Sequence, residues 1–90
     1  MHQKHEDIAN IQRQIDAIDM EIEKLLNKRG EFAAQVGDLK RQHDLPLRDP
    51  ERQKIIIENL ITSNTGPLTD DDIKAIFHMI VKVCFELQKG

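Results

Sequence analysis

Apolar side chains recur at alternating spacings of three and four residues along the first half of this 90-residue chain. This apolar stripe comprises Ile8, Ile11, Ile15, Ile18, Ile22, Leu25, Phe32, Val36 and Leu39. The spacing puts these side chains on one face of a helix and is typical of helices that pack along their length. It predicts one long helix from about Asp7, as the N-cap, to about Gln42. Gly30 and Gly37 each cost about 1 kcal/mol relative to alanine, but the pattern continues through both.

Two shorter helices are expected in the second half of the chain. One begins at the N-cap Asp49, with a proline in the first helical position, and ends before the turn at residues 63–67. The other begins after the cap Thr69, where three aspartates favour a helix N-terminus. The sequence therefore predicts an all-α fold of one long and two short helices in one domain, residues 1–90, with residues 1–6 disordered.

The length of the first helix predicts association. A helix of about 36 residues is about 54 Å long, far more than the core of a compact monomer of this size. The two short helices together about match that length and are expected to fold back along it. Because such a protomer leaves much of the apolar stripe exposed, we expect an intertwined homodimer.

Charge and hydropathy exclude several classes of function. A formal net charge of −3 argues against a general nucleic-acid binder. The longest apolar run is three residues, as in Ile55–Ile57, so we expect no membrane span, and the first residues lack the apolar centre of a signal peptide. The one cysteine, Cys84, excludes an internal disulfide and fits a reducing compartment. We therefore expect a cytoplasmic protein.

Arg29 interrupts the apolar stripe at a position where a packed helix would carry an aliphatic side chain. Its guanidinium does not lose its charge, so burial requires an anionic partner. No acidic residue elsewhere on the stripe supplies one, which indicates an anionic ligand. The alternative is a structural arginine at a helix interface, paired with a carboxylate or extending its charged end to solvent.

Other polar residues share faces with the expected core. Lys40 follows Arg29 by eleven residues, close to three helical turns, and projects from the same face. The remaining candidates lie at the start of the second helix and on the apolar side of the third: Asp49, Arg52, Gln53, Cys84 and Gln88. Cations with hydrogen-bonding groups suit a small dianionic ligand. We find no nucleophile–base pair, phosphate loop or metal-ligand cluster, and expect neither a cofactor nor a metal.

Most of these candidates also have a structural interpretation. Lys40 alone would be a solvated lysine near a helix C-terminus, and Asp49 is an N-cap before it is a ligand contact. Arg52 and Gln53 would ordinarily be surface residues. For Cys84 we keep the interpretation of a small buried hydrophobe.

Five segments of the chain occur together in one order: residues 15–19 (IDAID), 25–29 (LLNKR), 36–40 (VGDLK), 48–52 (RDPER) and 77–88, which ends in ELQ. In sequence and spacing they closely resemble the all-helical chorismate mutases, over about residues 8–88. The turn at residues 64–67 and the ending are most similar to the mutase domains fused to the first enzyme of the shikimate pathway. The resemblance therefore implies a fused or associated shikimate-pathway synthase as a partner.

The resemblance implies an intertwined homodimer with two active sites that converts chorismate to prephenate, a step of aromatic amino acid biosynthesis. This intramolecular 3,3-rearrangement needs no cofactor, nucleophile or proton shuttle. The enzyme selects the compact, chair-like conformer of the substrate. It also stabilises the negative charge that develops on the breaking ether oxygen.

The resemblance also implies a role for each matching residue. Arg29 would bind a carboxylate, and Lys40 would contact both a carboxylate and the ether oxygen. Gln88 would donate to the ether oxygen from the opposite side. Asp49 would hold the ring hydroxyl, and Arg52 would assist the substrate pocket.

Three positions depart from the family's pattern. The arginine that reaches from the first helix into the partner's site aligns with Gln12, and Arg13 lies about 100° further round the helix. Glutamine brings no charge to a carboxylate, a loss on the order of 2–4 kcal/mol, or about 30- to 1000-fold in rate. Gln53 stands where a glutamate is frequent, and Cys84 where a small polar residue is frequent.

These departures leave two alternatives to an active mutase. One is a catalytically impaired domain that binds chorismate or prephenate for regulation, or that mediates association, which Gln12 favours. The other is a related enzyme that acts on isochorismate or an amino-chorismate. Retention of Asp49 counts against an isochorismate lyase.

Overall fold

The computed structural model describes the backbone of residues 2–90 and the side chains from residue 4 onward. These residues form three α-helices: α1 (His2–Gln42), α2 (Pro50–Ser63) and α3 (Asp70–Gln88). No strand occurs among them. The prediction of an all-α fold with one long and two short helices is therefore confirmed.

The first helix begins before its predicted cap. It starts at His2, so the N-cap predicted at Asp7 is wrong, because the preceding residues contain neither glycine nor proline to stop a helix. Helix thus occupies residues 2–6, where we expect disorder, and residue 1 lies outside the described residues. With 41 residues, α1 is about 61 Å long. This length accounts for the 64 Å long axis of the molecule.

The end of α1 lies where the sequence predicts it and is closed by a backbone turn. Asp44 adopts a positive φ of 53°, and its amide donates to the carbonyl of Arg41 at 3.3 Å. The amide of Leu45 donates to the carbonyl of Lys40 at 2.8 Å. These two hydrogen bonds form a Schellman motif, which satisfies carbonyl groups at the helix end. The chain then turns back towards the last residues of α1.

Side-chain caps start α2 and α3 where the sequence predicts them. The carboxylate of Asp49 accepts from the amide of Arg52 at 3.0 Å, and a proline follows the cap. Thr69 and Asp72 form a capping box, in which each side chain accepts from the other's backbone amide at 3.1 and 3.0 Å. Both helix starts are therefore fixed by local hydrogen bonds.

α3 packs against the C-terminal half of α1, and α2 packs against α3. Within the described residues only α3 lies directly along α1, whereas the sequence leads us to expect both short helices there. The apolar side chains that these residues bury are Ala33 of α1 and Cys84 of α3. The core of the protomer is therefore the short stretch where these two helices meet.

Most of the apolar stripe is exposed in the protomer. Ile11, Ile18 and Leu25 are 58%, 57% and 63% exposed, because α3 packs against the C-terminal half of α1. No described helix has both the length and the apolar character that a membrane span requires. The N-terminal half of α1 thus presents a long apolar face that the other described helices of the protomer leave exposed.

Candidate active site

A cavity of about 270 Å³ lies between the C-terminal half of α1, the start of α2 and the end of α3. Seven of the eight predicted site residues line it: Arg29, Lys40, Asp49, Arg52, Gln53, Cys84 and Gln88. We call this cavity the polar pocket. It brings together side chains from all three helices, which the sequence places up to 59 positions apart.

Gln12, the eighth predicted residue, lies outside the polar pocket of its own protomer. It is exposed on α1, about 26 Å from Arg29 along the helix axis at 1.5 Å per residue. The guanidinium of its neighbour Arg13 donates to the side-chain oxygen of Asn10, one turn earlier. Within one protomer, neither Gln12 nor Arg13 reaches the pocket.

The lining of the polar pocket carries more positive than negative charge. Three cations, Arg29, Lys40 and Arg52, face the cavity together with the single carboxylate of Asp49. Cavities lined by one sign of charge attract ligands of the other sign. An excess of two positive charges suits a ligand that carries two carboxylates.

The charge of Arg29 is the main reason to expect an anionic ligand in the polar pocket. Its side chain is half-buried, and no ion pair among the described residues includes it. The structural interpretation of Arg29, in which a neighbouring helix supplies a carboxylate, therefore gains no support. A planar guanidinium is well suited to bind a carboxylate through two parallel hydrogen bonds.

Lys40 is held at the pocket wall by the connector between α1 and α2. Its Nζ donates to the carbonyl oxygen of Leu47 at 3.1 Å, and the side chain is half-buried. The Schellman turn after α1 brings this carbonyl back to the lysine. An ammonium has three donors, so two stay available for a ligand in the cavity.

The start of α2 contributes one acceptor and one cation from the solvent side. Asp49 and Arg52 are exposed, whereas Gln53 is half-buried. One carboxylate oxygen of Asp49 accepts from the amide of Arg52 as the N-cap, and its other oxygen is left for a ligand. The cap and the ligand contact are thus compatible in one residue, as the sequence suggests.

Gln88, the last residue of α3, presents a side-chain amide to the pocket. Its Oε1 is buried and has no hydrogen-bond partner among the described residues, which costs about 1–3 kcal/mol for a typical buried polar group. The side-chain nitrogen of Gln88 is not buried in this way and has no hydrogen bond to another described residue. It therefore stays available to donate to a ligand in the cavity.

The groups of the wall that sequence reasoning missed include the carbonyl of Leu47 and the ring of Phe85. The guanidinium carbon of Arg48 lies 4.9 Å from the centre of the Phe85 ring, within the range of a cation–π contact. Phe85 precedes Gln88 by three residues and so shares its helix face, a spacing that would have identified it. Cys84 beside it is only 5% exposed, which agrees with its interpretation as a small buried hydrophobe.

The chain matches the family model described as chorismate mutase type II over residues 11–89. It is 34% identical over 85 residues to the chorismate mutase of Methanocaldococcus jannaschii, a match that covers 93% of this chain and 86% of that protein. The chain also matches bifunctional chorismate mutase/prephenate dehydratases, of whose length it spans 24% or less. A fusion or association with a shikimate-pathway synthase stays a prediction.

Solved structures show the same fold. A chorismate mutase from Thermus thermophilus (form II) superposes with a TM-score of 0.90 at 30% identity, covering 91% of this chain and 93% of that one. The chorismate mutase of Helicobacter pylori in complex with prephenate superposes with a TM-score of 0.84 at 26% identity, covering 91% and 89%. By sequence and by fold, this chain belongs to the chorismate mutase type II family.

Proposed function

We propose that this chorismate mutase rearranges chorismate to prephenate in the polar pocket. The observation that carries the proposal is the gathering of seven predicted site residues around one cavity with an excess of two positive charges. Chorismate carries two carboxylates, an ether oxygen and a ring hydroxyl, and the lining offers a group for each of them. The solved structure of a relative with bound prephenate supports the same ligand class.

In the proposed mechanism the protein binds one conformer and stabilises charge. The ether carbon–oxygen bond breaks while a carbon–carbon bond forms, and negative charge develops on the ether oxygen. Arg29 binds one carboxylate and holds the chair-like conformer. Lys40 and Gln88, from the ends of α1 and α3, donate to the ether oxygen from two sides.

The remaining lining residues orient the ring. The free carboxylate oxygen of Asp49 accepts from the ring hydroxyl, and Arg52 contributes positive charge at the mouth of the pocket. Gln53 and Cys84 complete the walls around the substrate. Binding and electrostatic stabilisation then account for catalysis without a covalent intermediate.

The direct test is an assay of the purified protein with chorismate, in which both the loss of substrate and the identity of the product are followed. We expect prephenate as the product. Measurable prephenate binding without any turnover would contradict the proposal and favour a regulatory domain, which Gln12 makes the main alternative. Turnover of isochorismate or amino-chorismate in place of chorismate would indicate the related enzymes.

We also propose that the protein is an intertwined homodimer, in which the exposed half of the apolar stripe packs against a second copy. The midpoint between Gln12 and Arg29 lies between Ile18 and Ile22. A two-fold axis there, with the two α1 helices antiparallel, would bring Gln12 of one protomer beside Arg29 of the partner subunit. The same contact would cover the apolar side chains that the protomer leaves exposed.

A charge at this contact should separate the protomers. We expect Ile18→Glu to convert the dimer to monomers in sedimentation equilibrium and to lower turnover, because it places a carboxylate among apolar side chains at the proposed axis. Met20→Glu is the control, because residue 20 lies about 200° round the helix from residue 18 and is also exposed, at 64%. Equal effects of both substitutions, or a monomeric parent protein, would contradict the proposed dimer.

Restoring the charge at residue 12 should raise activity. We expect Gln12→Arg to increase kcat/KM by about 10- to 100-fold, since a charge-assisted hydrogen bond contributes about 1.5–3 kcal/mol. Arg13→Ala is the matched test of register and should change kcat/KM less than about twofold, because Arg13 contacts Asn10 on the same helix. No gain from Gln12→Arg together with a large loss from Arg13→Ala would show that Arg13 enters the partner's site instead.

A further inference from the structure

The last turn of α3 rests directly on the backbone of α1 at Gly37. Gly37 is buried, and a Cβ added there would lie 2.7 Å from the Cα of Gln88 and 2.8 Å from its carbonyl carbon. Both distances are shorter than non-bonded carbon atoms allow. The helices can therefore approach this closely only where α1 has no side chain.

One turn further along α1, Arg41 binds the same backbone group. Its guanidinium donates to the carbonyl oxygen of Gln88 and to the carboxylate of Asp38, which also forms an ion pair with it. The last turn of α3 contains no basic residue of its own. Arg41 thus adds, from another helix, a positive charge that favours a helix C-terminus, beside that of the cap residue Lys89.

These two contacts act on the residue whose side chain faces the polar pocket. Residues in the last turn of a helix fray readily, because their carbonyl groups lack partners within the helix. A glutamine that donates to a developing charge must be held in place before the reaction. The backbone of Gln88 packs on Gly37 and accepts a hydrogen bond from Arg41, while its Oε1 lies buried.

We propose that Gly37 and Arg41 are positioning residues for Gln88, an inference that rests on the proposed function of the polar pocket. They fix the last turn of α3 on α1, so that the Gln88 amide stands at the cavity wall. Neither residue lines the cavity. Their effect on the reaction therefore passes through Gln88.

The first test is Gly37→Ala, with Gly30→Ala as its matched control. Both replace a buried glycine of α1 with alanine, but a Cβ at Gly30 would meet only the Cδ1 of Leu87, the flexible end of a side chain, at 2.8 Å. We expect Gly37→Ala to lower kcat by at least about tenfold while KM changes less than about threefold, because Gln88 acts mainly in the transition state. Gly30→Ala should leave both within about twofold.

Arg41→Met removes the guanidinium without adding bulk. It is the second test, and it keeps the inference testable if Gly37→Ala disturbs folding. We expect kcat to fall by about three- to tenfold. In a Gln88→Ala background, Gly37→Ala and Arg41→Met should each change kcat less than about twofold, because no amide is left to position. If kcat fell in that background by as much as in the parent protein, the inference would be overturned and a general effect on the fold would be indicated.

A second readout does not require turnover. The side-chain amide of Gln88 can be assigned in a ¹⁵N–¹H spectrum by its loss in Gln88→Ala. We expect its signal to move towards the position of a mobile glutamine in Gly37→Ala and Arg41→Met, and to stay unchanged in Gly30→Ala. An unchanged signal in both positioning variants would overturn the inference, whereas an inactive parent protein would overturn only the proposed function.

Discussion

Replacing Arg29 with alanine is expected to lower kcat/KM for chorismate by about a thousandfold or more. The side chain is half-buried at the pocket wall and has no ion pair among the described residues, so its proposed partner is a substrate carboxylate. Loss of a bidentate, charge-assisted contact in a confined site is on the order of 4 kcal/mol, and each 1.36 kcal/mol is tenfold in rate. Steady-state kinetics with purified protein would measure the loss.

The stability of this variant should not fall with its activity. Arg29 lines a cavity with two other cations, so its removal relieves repulsion and breaks no ion pair of the described residues. We expect the thermal midpoint of Arg29→Ala to equal or exceed that of the parent. Lys28→Ala, at an exposed neighbouring position about 100° round α1, is the control for both measurements. Unfolding of Arg29→Ala would instead favour a structural role.

Lys40→Met should have the second largest effect, a fall in kcat of about 100- to 1000-fold. Methionine keeps the apolar stem but removes the ammonium that we propose to donate to the ether oxygen, and loss of one such donor has effects of this size. KM should also rise, since the same ammonium would contact a carboxylate. Kinetics at saturating and low chorismate would separate the two effects.

The control for this variant is Lys82→Met on the exposed face of α3, which should leave kcat within about twofold. The variant also loses the hydrogen bond to the Leu47 carbonyl, so we expect about 1 kcal/mol less stability. A rise in KM with an unchanged kcat would contradict a contact with the ether oxygen. It would show that Lys40 contributes only to binding that is equal in substrate and transition state.

The helices were predictable where local chemistry determines them. Asp49 and Thr69 accept hydrogen bonds from amides within three residues of themselves, so their caps can be identified from sequence alone. The start of α1 lacks such a signal, and the helix runs past Asp7 to His2. The packing of α2 on α3 was not predictable either, because periodicity indicates which face of a helix packs but not which helix it meets.

The site residues, like the helices, could be predicted from the sequence only in part. Arg29 and Lys40 lie on one helix, so their spacing alone indicates a shared face. Gln88 lies 59 positions after Arg29, and only the family resemblance relates the two. The Leu47 carbonyl that holds Lys40 is a backbone group, which no residue type encodes. A glycine at residue 37 permits a close approach but does not indicate that Gln88 makes it. These contacts required the three-dimensional structure.

The exposed apolar stripe has a thermodynamic consequence under the proposed homodimer. If the face of α1 is covered only by a second copy, unfolding and dissociation become one equilibrium, and the free energy of unfolding depends on protein concentration. Each tenfold dilution then lowers that free energy by about 1.4 kcal/mol per mole of dimer. An enzyme built in this way is most stable where it is most abundant, and its specific activity falls with dilution.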